Sequence, residues 1–529
     1  MNETTTVTEN PSKGGKSKKI ISLIIVLLLI AGGSIAAYAF LKPTDKESYF
    51  LAEKDTLDFI KETLEERYAP EAKWKEQKKT DPVNTELELS AEYNDPYGYN
   101  FGIIGMINNA SFTIETTTDK DKKEFATELG AQFAGVNVDG FKFFLTDDRV
   151  MTGLPFLDDV LQIKSDDLPS LLHELDPDSF TGEEEYNFGS FFDGAQFMTE
   201  SFDMDHFKKE YAEMIYEELP DSAFAIAKEN VNVQNNSLKT EKITMHLSEK
   251  ELKSILNKTI STMQQDKVLK EMIRDQLHLD FFSNMTDLDQ MPEEFIDDFI
   301  NGFDDGLDEM KSGISDLEIP NGLTSTIWVK DDVIVKRDFS LDIGPSSDKM
   351  ATISIKGEQL LGKEEQSIDY TVASGNDSLT IKGDLSSSDG KINDSIKLAT
   401  DTSEISYESD ETLKDGTREY ERIISTDGSY GELNSLIWSG EAMYDNDQMS
   451  SENSFAIESP DLSQDTFQLH VSKESKTVKE VDIPSGDNVK DIGGMDIMEL
   501  NNYFEMDVAP KAEQWIQQIM GGGIMNGGF

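Results

Sequence analysis

From Leu323 onward the chain alternates polar and apolar residues in short runs, and that period of two leaves little but antiparallel sheet open to it. Ile327–Val335, Phe339–Ile343 and Ile353–Ile355 are such runs. Ser388-Asp389-Gly390-Lys391, Lys414-Asp415-Gly416-Thr417 and Thr426-Asp427-Gly428-Ser429 have the composition of tight hairpin tips. Their spacing predicts a long meander.

The same period appears earlier. Leu87, Leu89, Ala91 and Tyr93 alternate with polar residues, and so do Phe112, Ile114 and Thr116. Phe125, Leu129 and Phe133 continue the pattern, then Phe141, Phe143 and Leu145, with Asp139-Gly140 expected as the turn between them. Between these regions the spacing becomes helical. Helices are expected over 46–68, 166–175, 205–219, 248–263, 266–278 and 292–310, and a short one over 511–520. Ser248 followed by Glu251 is a capping box. Pro292 suits the first turn of its helix. The tail GGGIMNGGF is expected to be flexible.

The N-terminus carries a different signal. Ile20–Leu41 holds no charged residue, and roughly 20 apolar residues span a bilayer as a helix. Lys13, Lys16, Lys18 and Lys19 precede it, which places that end inside and the bulk of the chain outside. The expectation is a single-pass cell-membrane protein anchored through residues 20–41. Ala37-Tyr38-Ala39 also fits a cleavage site, so a signal peptide is the alternative. The chain has no cysteine, which excludes a lipobox, disulfides and thiolate sites. A cysteine-free exported chain fits a Gram-positive bacterium.

The net charge is -56. Such a surface repels nucleic acid and anionic polymers. It is explained by solubility, or by acidic clusters that bind divalent cations.

The expected fold class is α+β. A transmembrane helix leads into a large curved antiparallel sheet, open and half-barrel-like, packed against a central group of helices. The expected division is a basic tail (1–19), the membrane segment (20–41), an α+β region (42–318), a β-meander (319–493) and a short helix with a Gly/Met-rich tail (494–529).

A membrane signal, a long helix, strands reading VDGFKFFLTDD and the strand–helix unit KITMHLSEKELKSILNKTI resemble LolA/LppX-like envelope proteins. The whole pattern is similar to uncharacterised single-pass membrane proteins of Firmicutes. The resemblance implies an open half-barrel closed by helices over an apolar cavity, and several members of that group carry lipids. This chain is about twice the usual size of that fold.

No reaction is spelled out. His173, His206, His246, His278 and His470 form no HExxH motif. Walker A, dinucleotide-binding and G-x-S-x-G patterns are absent. Asp297–Met310 is dense in carboxylates, but Phe303 and Ser312 stand where an EF-hand needs ligands. That stretch reads instead as an amphipathic helix with a solvated acidic face. Met263, Met272, Met285, Met291 and Met310 read as core packing, or as lining of an adaptable cavity. No catalytic, cofactor or metal residue is assigned.

The function expected is therefore non-enzymatic: a tethered binding protein holding a lipid or other amphiphile, with Phe141, Phe143 and Leu145 as cavity lining. The alternative is an envelope interaction protein that meets a protein partner through its acidic surface and takes no small ligand. A hydrolase built from scattered carboxylates is a third reading with no motif behind it.

Overall fold

The computed structural model describes residues 43–94, 104–105, 107–133, 135–177, 180–183, 186, 188–189, 191–192, 204–283, 293–427 and 433–524. They form two compact units. The first takes the described residues within Met1–Leu64, Phe202–Leu385 and Ile396–Thr402, and the second those within Glu65–Ser201, Ser386–Ser395 and Ser403–Phe529.

In chain order, α1 (Asp45–Arg67) and α2 (Ala69–Thr80) lead into β1 (Val83–Tyr93), β2 (Ser111–Asp119), β3 (Glu124–Phe133), β4 (Val136–Leu145), β5 (Arg149–Gly153) and β6 (Val160–Lys164). Next come α3 (Leu168–Leu175), the helical segment α4 (204–218), β7 (Phe224–Val233) and β8 (Asn236–Leu247). Then follow α5 (Glu249–Gln265), α6 (Lys267–Ser283) and α7 (Glu293–Ile314). A run of strands continues as β9 (Leu323–Lys330), β10 (Val333–Ile343), β11 (Ala351–Leu361), β12 (Glu365–Ser374), β13 (Asp377–Ser388) and β14 (Lys391–Thr400). It ends with β15 (Glu404–Lys414), β16 (Thr417–Asp427), β17 (Leu433–Tyr444), β18 (Gln448–Glu458), β19 (Phe467–Thr477) and β20 (Val489–Asp491). The helices α8 (Ile497–Tyr503) and α9 (Ala509–Ile524) complete the described chain.

In the first unit β7 to β12 pair in sequence order, each antiparallel to the next. The alternation of these strands puts apolar residues in cross-strand rows. Leu247, Leu323, Leu341 and Ile353 lie in one row across β8 to β11. The helices supply the matching surface. α5 starts at the Ser248–Glu251 capping box and buries Leu252, Ile255, Leu256 and Ile260 at 3–4 spacing. Leu307 and Ile314 of α7 join the same core.

Polar contacts fix α1 on this face. Glu53 accepts two bonds from the Arg337 guanidinium, at 2.7 and 2.6 Å. The Tyr49 hydroxyl bonds Ser325 at 2.7 Å. The register of β10 shifts between Ile334 and Lys336, and the freed Ile334 N–H donates to Thr56 Oγ1 at 2.9 Å.

Burial, reinforced by Glu53, pushes the Tyr49 hydroxyl up to about 12. Its folded value lies above the unfolded value of about 10, so this contribution is complete below pH ~10 and is lost as pH rises towards 12. The expected loss over that window is about 2–3 kcal/mol. Chemical denaturation of the protein and of Tyr49→Phe at pH 9 and pH 12 checks it: the substitution removes that part of the alkaline decline.

In the second unit β15 to β19 pair in order, β19 pairs β1, and β1 to β6 continue the ladder. The short β20 closes on β6 in parallel. A small core of Leu161, Leu171, Ile492, Leu500, Tyr503 and Val508 holds α3 and α8 to that end.

This corrects the expected α+β architecture. The described residues hold twenty strands, and the central helices do not serve as a shared cover for a sheet built from both ends of the chain. They belong with β7 to β12, whose rows match their apolar faces, while β1 pairs with the late strand β19 and β2 to β6 continue from β1. The expected transmembrane helix lies at residues 20–41, outside the described residues. Among those described, no helix is long and apolar enough to cross a membrane. Nothing among the described residues therefore supports the single-pass cell-membrane placement, which is not carried further, and the finding does not bear on strands.

Local readings fared unevenly. Asp389-Gly390 and Asp415-Gly416 are left-handed pairs, with φ of 51° and 76°, and 52° and 85°. Asp139-Gly140 is not a hairpin tip. It sits inside β4, where two residues face Gly130 alone, and Gly140 takes φ 84° in the resulting bulge. Asp427-Gly428, Pro292, Met285 and Met291 fall wholly or partly outside the described residues. The expected flexible tail is helical as far as Ile524.

Candidate functional site

The two faces of the second unit's sheet have opposite characters, and the strand register shows how. On β16, Arg418, Tyr420 and Arg422 point to one side while Glu419 and Glu421 point to the other.

The first of these faces is covered by the last turn of α1 and by α2. Arg418 is 1% exposed. Its guanidinium donates to Glu411 at 3.1 Å, to Glu71 at 2.5 Å and to the Arg67 carbonyl at 2.8 Å. Arg422 donates to Glu411 at 2.8 Å and lies over the Tyr420 and Trp438 rings. Arg67 pairs with the buried Asp394 at 2.8 Å. Burial alone would lower the Arg418 value, but Glu71 and Glu411 outweigh it and hold it above the usual range. Burial raises the Asp394 carboxyl against the pull of Arg67. Every charge here has a partner, and the cluster reads as structural.

The other face is acidic and open. Glu419, Glu441 and Glu452 stand directly opposite one another on β16, β17 and β18. Glu474, Glu86, Glu115 and Glu128 make a second row across β19, β1, β2 and β3. Asp410 faces Glu421 across β15 and β16. Of these, Glu128 is half-buried and pairs with Lys142 at 3.1 Å, while the others in both rows are exposed. Like charges directly opposite in a sheet are destabilising. Neighbouring Cβ atoms are about 5 Å apart, and two unit charges at that distance repel by roughly 0.8 kcal/mol even in bulk water. The fold tolerates this repulsion repeatedly on one face.

Across β15 to β19 this face forms an open trough of about 830 Å³. Asp410, Glu419, Glu421, Glu441 and Glu452 line it, with Ser439, Ser454, Ser472 and His470. His470 Nε2 lies 3.8 Å from Glu92. Among the described residues no group of three or more His, Asp or Glu side chains converges to hold a metal ion. The rows spread negative charge along the sheet instead of focusing it on one point.

The sequence-predicted residues lie elsewhere. Phe141, Phe143 and Leu145 do share a face of β4, opposite Leu129, Thr127 and Phe125. Protein side chains take up part of that face, while Phe143 and Leu129 stay 36% and 38% exposed. Phe141 packs on Trp515 with ring centroids 5.6 Å apart, Phe143 meets Phe125 at 6.5 Å, and Leu145 is buried. The trough carries carboxylates, hydroxyls and an imidazole. The lipid-holding, LolA-like reading is therefore withdrawn.

Asp297–Met310 lies within the continuous helix α7, with Asp297 paired to Arg274 and Asp304 to Lys270. His206 and Tyr211 both bond Asp266, and His173 and His246 bond a carbonyl and a hydroxyl. The side chain of His278 is outside the description. The trough itself was missed, although the alternation in Arg418-Glu419-Tyr420-Glu421-Arg422 carries half of its signal.

No family model matches the chain, and no curated protein does. Some solved structures are similar over most of their length. A loop-deletion mutant of OmpT, an outer membrane protein of Vibrio cholerae, is 6% identical with a TM-score of 0.17, over 75% of this chain and 98% of that one. Pseudomonas aeruginosa OccK3 is 6% identical with a TM-score of 0.23, over 76% and 96%. Salmonella typhi OmpF, in a complex with daunomycin, is 7% identical with a TM-score of 0.19, over 75% and 97%. At these scores the likenesses carry no argument about fold or function.

Proposed function

We propose that the protein is a non-enzymatic binding protein that engages a polycationic polypeptide along the acidic face of its second unit. The observation that carries this reading is the pair of glutamate rows held in cross-strand register on an open face. A partner with lysines or arginines spaced along an extended segment relieves repulsion between neighbouring glutamates at several points. A single metal ion relieves it at one. Exposed pairs of this kind contribute modestly one by one, so recognition depends on their number and on salt.

The test is titration of the protein into a labelled oligolysine peptide, followed by fluorescence anisotropy. Binding is expected at low ionic strength, weakening progressively as salt shortens the screening length to about 8 Å at 0.15 M. Absence of binding at low salt overturns the proposal.

A further inference from the structure

In a chain with 104 acidic residues, one corner of the second unit gathers lysines that pair with no carboxylate among the described residues. Lys75 and Lys78 are three residues apart on α2, on neighbouring positions of its surface. Lys473 lies on β19 opposite Leu87 of β1, on the side of the sheet that α2 covers. Lys120 follows the end of β2, next to the start of β1, where Val83 pairs Thr118. Lys78 and Lys473 are both half-buried. None of the four forms an ion pair among the described residues, whereas other lysines nearby do: Lys79 pairs Glu76 and Lys122 pairs Asp119.

The electrostatics agree with the placement. Burial, then repulsion from Lys473, Lys120 and Lys75, holds the Lys78 ammonium below its usual range. Burial does the same to Lys473. A second observation is independent of charge. Trp74 is 5% exposed, and its indole N–H has no hydrogen-bond partner. It sits one turn before Lys78 on the same side of α2. A buried donor without a protein acceptor is uncommon, and an oxyanion is an acceptor that would satisfy it.

We propose that Lys75, Lys78, Lys120 and Lys473, with the Trp74 indole N–H, form a binding site for a phosphate-class oxyanion. The ammonium groups supply charge and the indole supplies an N–H donor that has no protein partner, a combination that tetrahedral oxyanions accept. The net charge of the chain does not forbid this. At physiological ionic strength the screening length is about 8 Å, so the local lysines govern binding once the anion has arrived. The site lies on the covered side of the sheet and is separate from the acidic trough.

The test uses the full chain, with inorganic phosphate as the probe. Acylation of Lys78 and Lys473 by an amine-reactive reagent is followed by peptide mass spectrometry, with chloride at equal ionic strength as the control. Phosphate is expected to slow both reactions severalfold, while Lys382, paired with Asp369, reacts unchanged. Calorimetric titration is expected to show phosphate affinity falling on the order of tenfold in Lys78→Met/Lys473→Met. Vesicles of phosphatidylglycerol and of phosphatidylcholine then distinguish the source. Lysine-dependent sedimentation with the first alone assigns a phosphate headgroup, and binding of phosphate without sedimentation assigns a free anion. Equal acylation with and without phosphate overturns the proposal even where the double variant does not fold.

Discussion

Arg418→Met is expected to destabilise the second unit by about 3–5 kcal/mol, the cost of leaving a buried charge without its partner. Arg418 and Glu411 are both 1% exposed, and Arg418 also satisfies Glu71 and the Arg67 carbonyl. Methionine keeps much of the side-chain volume and loses every donor. Glu411 then retains Arg422 and a weak bond from Ser409. The reciprocal change separates charge from packing. Arg418→Met/Glu411→Leu removes both members, and replacing a buried pair by apolar groups is often neutral. Glu411→Leu also takes the acceptor of Arg422, itself largely buried, so the double variant should regain only part of the loss. Urea unfolding followed by tryptophan fluorescence measures it, since Trp438 stacks on Phe455 and lies under Arg422. An Arg418→Met variant as stable as the parent would contradict the reading of this cluster as structural.

Leu256→Ala is expected to cost the first unit about 2–5 kcal/mol. Leu256 is 1% exposed, in the middle of the α5 face that packs on the core of that unit. Truncation leaves a cavity bounded by a helix and a hydrogen-bonded sheet, neither of which collapses easily. The neighbouring Ser261 is the contrast, because its hydroxyl bonds the Asn257 carbonyl within the same helix. Ser261→Ala should change stability by less than about 1 kcal/mol. Thermal unfolding of both variants checks the pair, and similar losses in the two would contradict this assignment of the core.

Element types were legible wherever a period repeated. The capping box at Ser248, the helix over α7 and the alternation along β1 all followed from local chemistry. Pairing was not legible. β1 lies against β19, nearly the whole chain away, and nothing local to Val83–Tyr93 names Phe467–Thr477 as its neighbour. That pairing is what aligns Glu86 with Glu474 and turns scattered glutamates into a row. The helices were assigned to the wrong strands for the same reason: an apolar stripe says that a helix is covered and does not say by what. Phe141, Phe143 and Leu145 were placed correctly on one face, but Trp515 reaches Phe141 from α9 over a sequence distance that periodicity cannot bridge. In Arg418-Glu419-Tyr420-Glu421-Arg422 both faces could be separated from sequence. Only the register showed that one is buried under α2 and the other open.

The most direct test compares oligolysine binding by two charge-matched variants. Glu419→Gln/Glu441→Gln/Glu452→Gln neutralises one row of the trough. Glu364→Gln/Glu365→Gln/Asp377→Asn neutralises as many exposed carboxylates of the first unit. Both change the net charge equally, so long-range attraction alone predicts equal weakening. The trough variant is expected to lose affinity by about tenfold or more and to be no less stable than the parent, since like charges no longer oppose one another. The control variant is expected to bind as the parent does. Equal affinities for the two variants would contradict the assignment of the glutamate rows as the binding face.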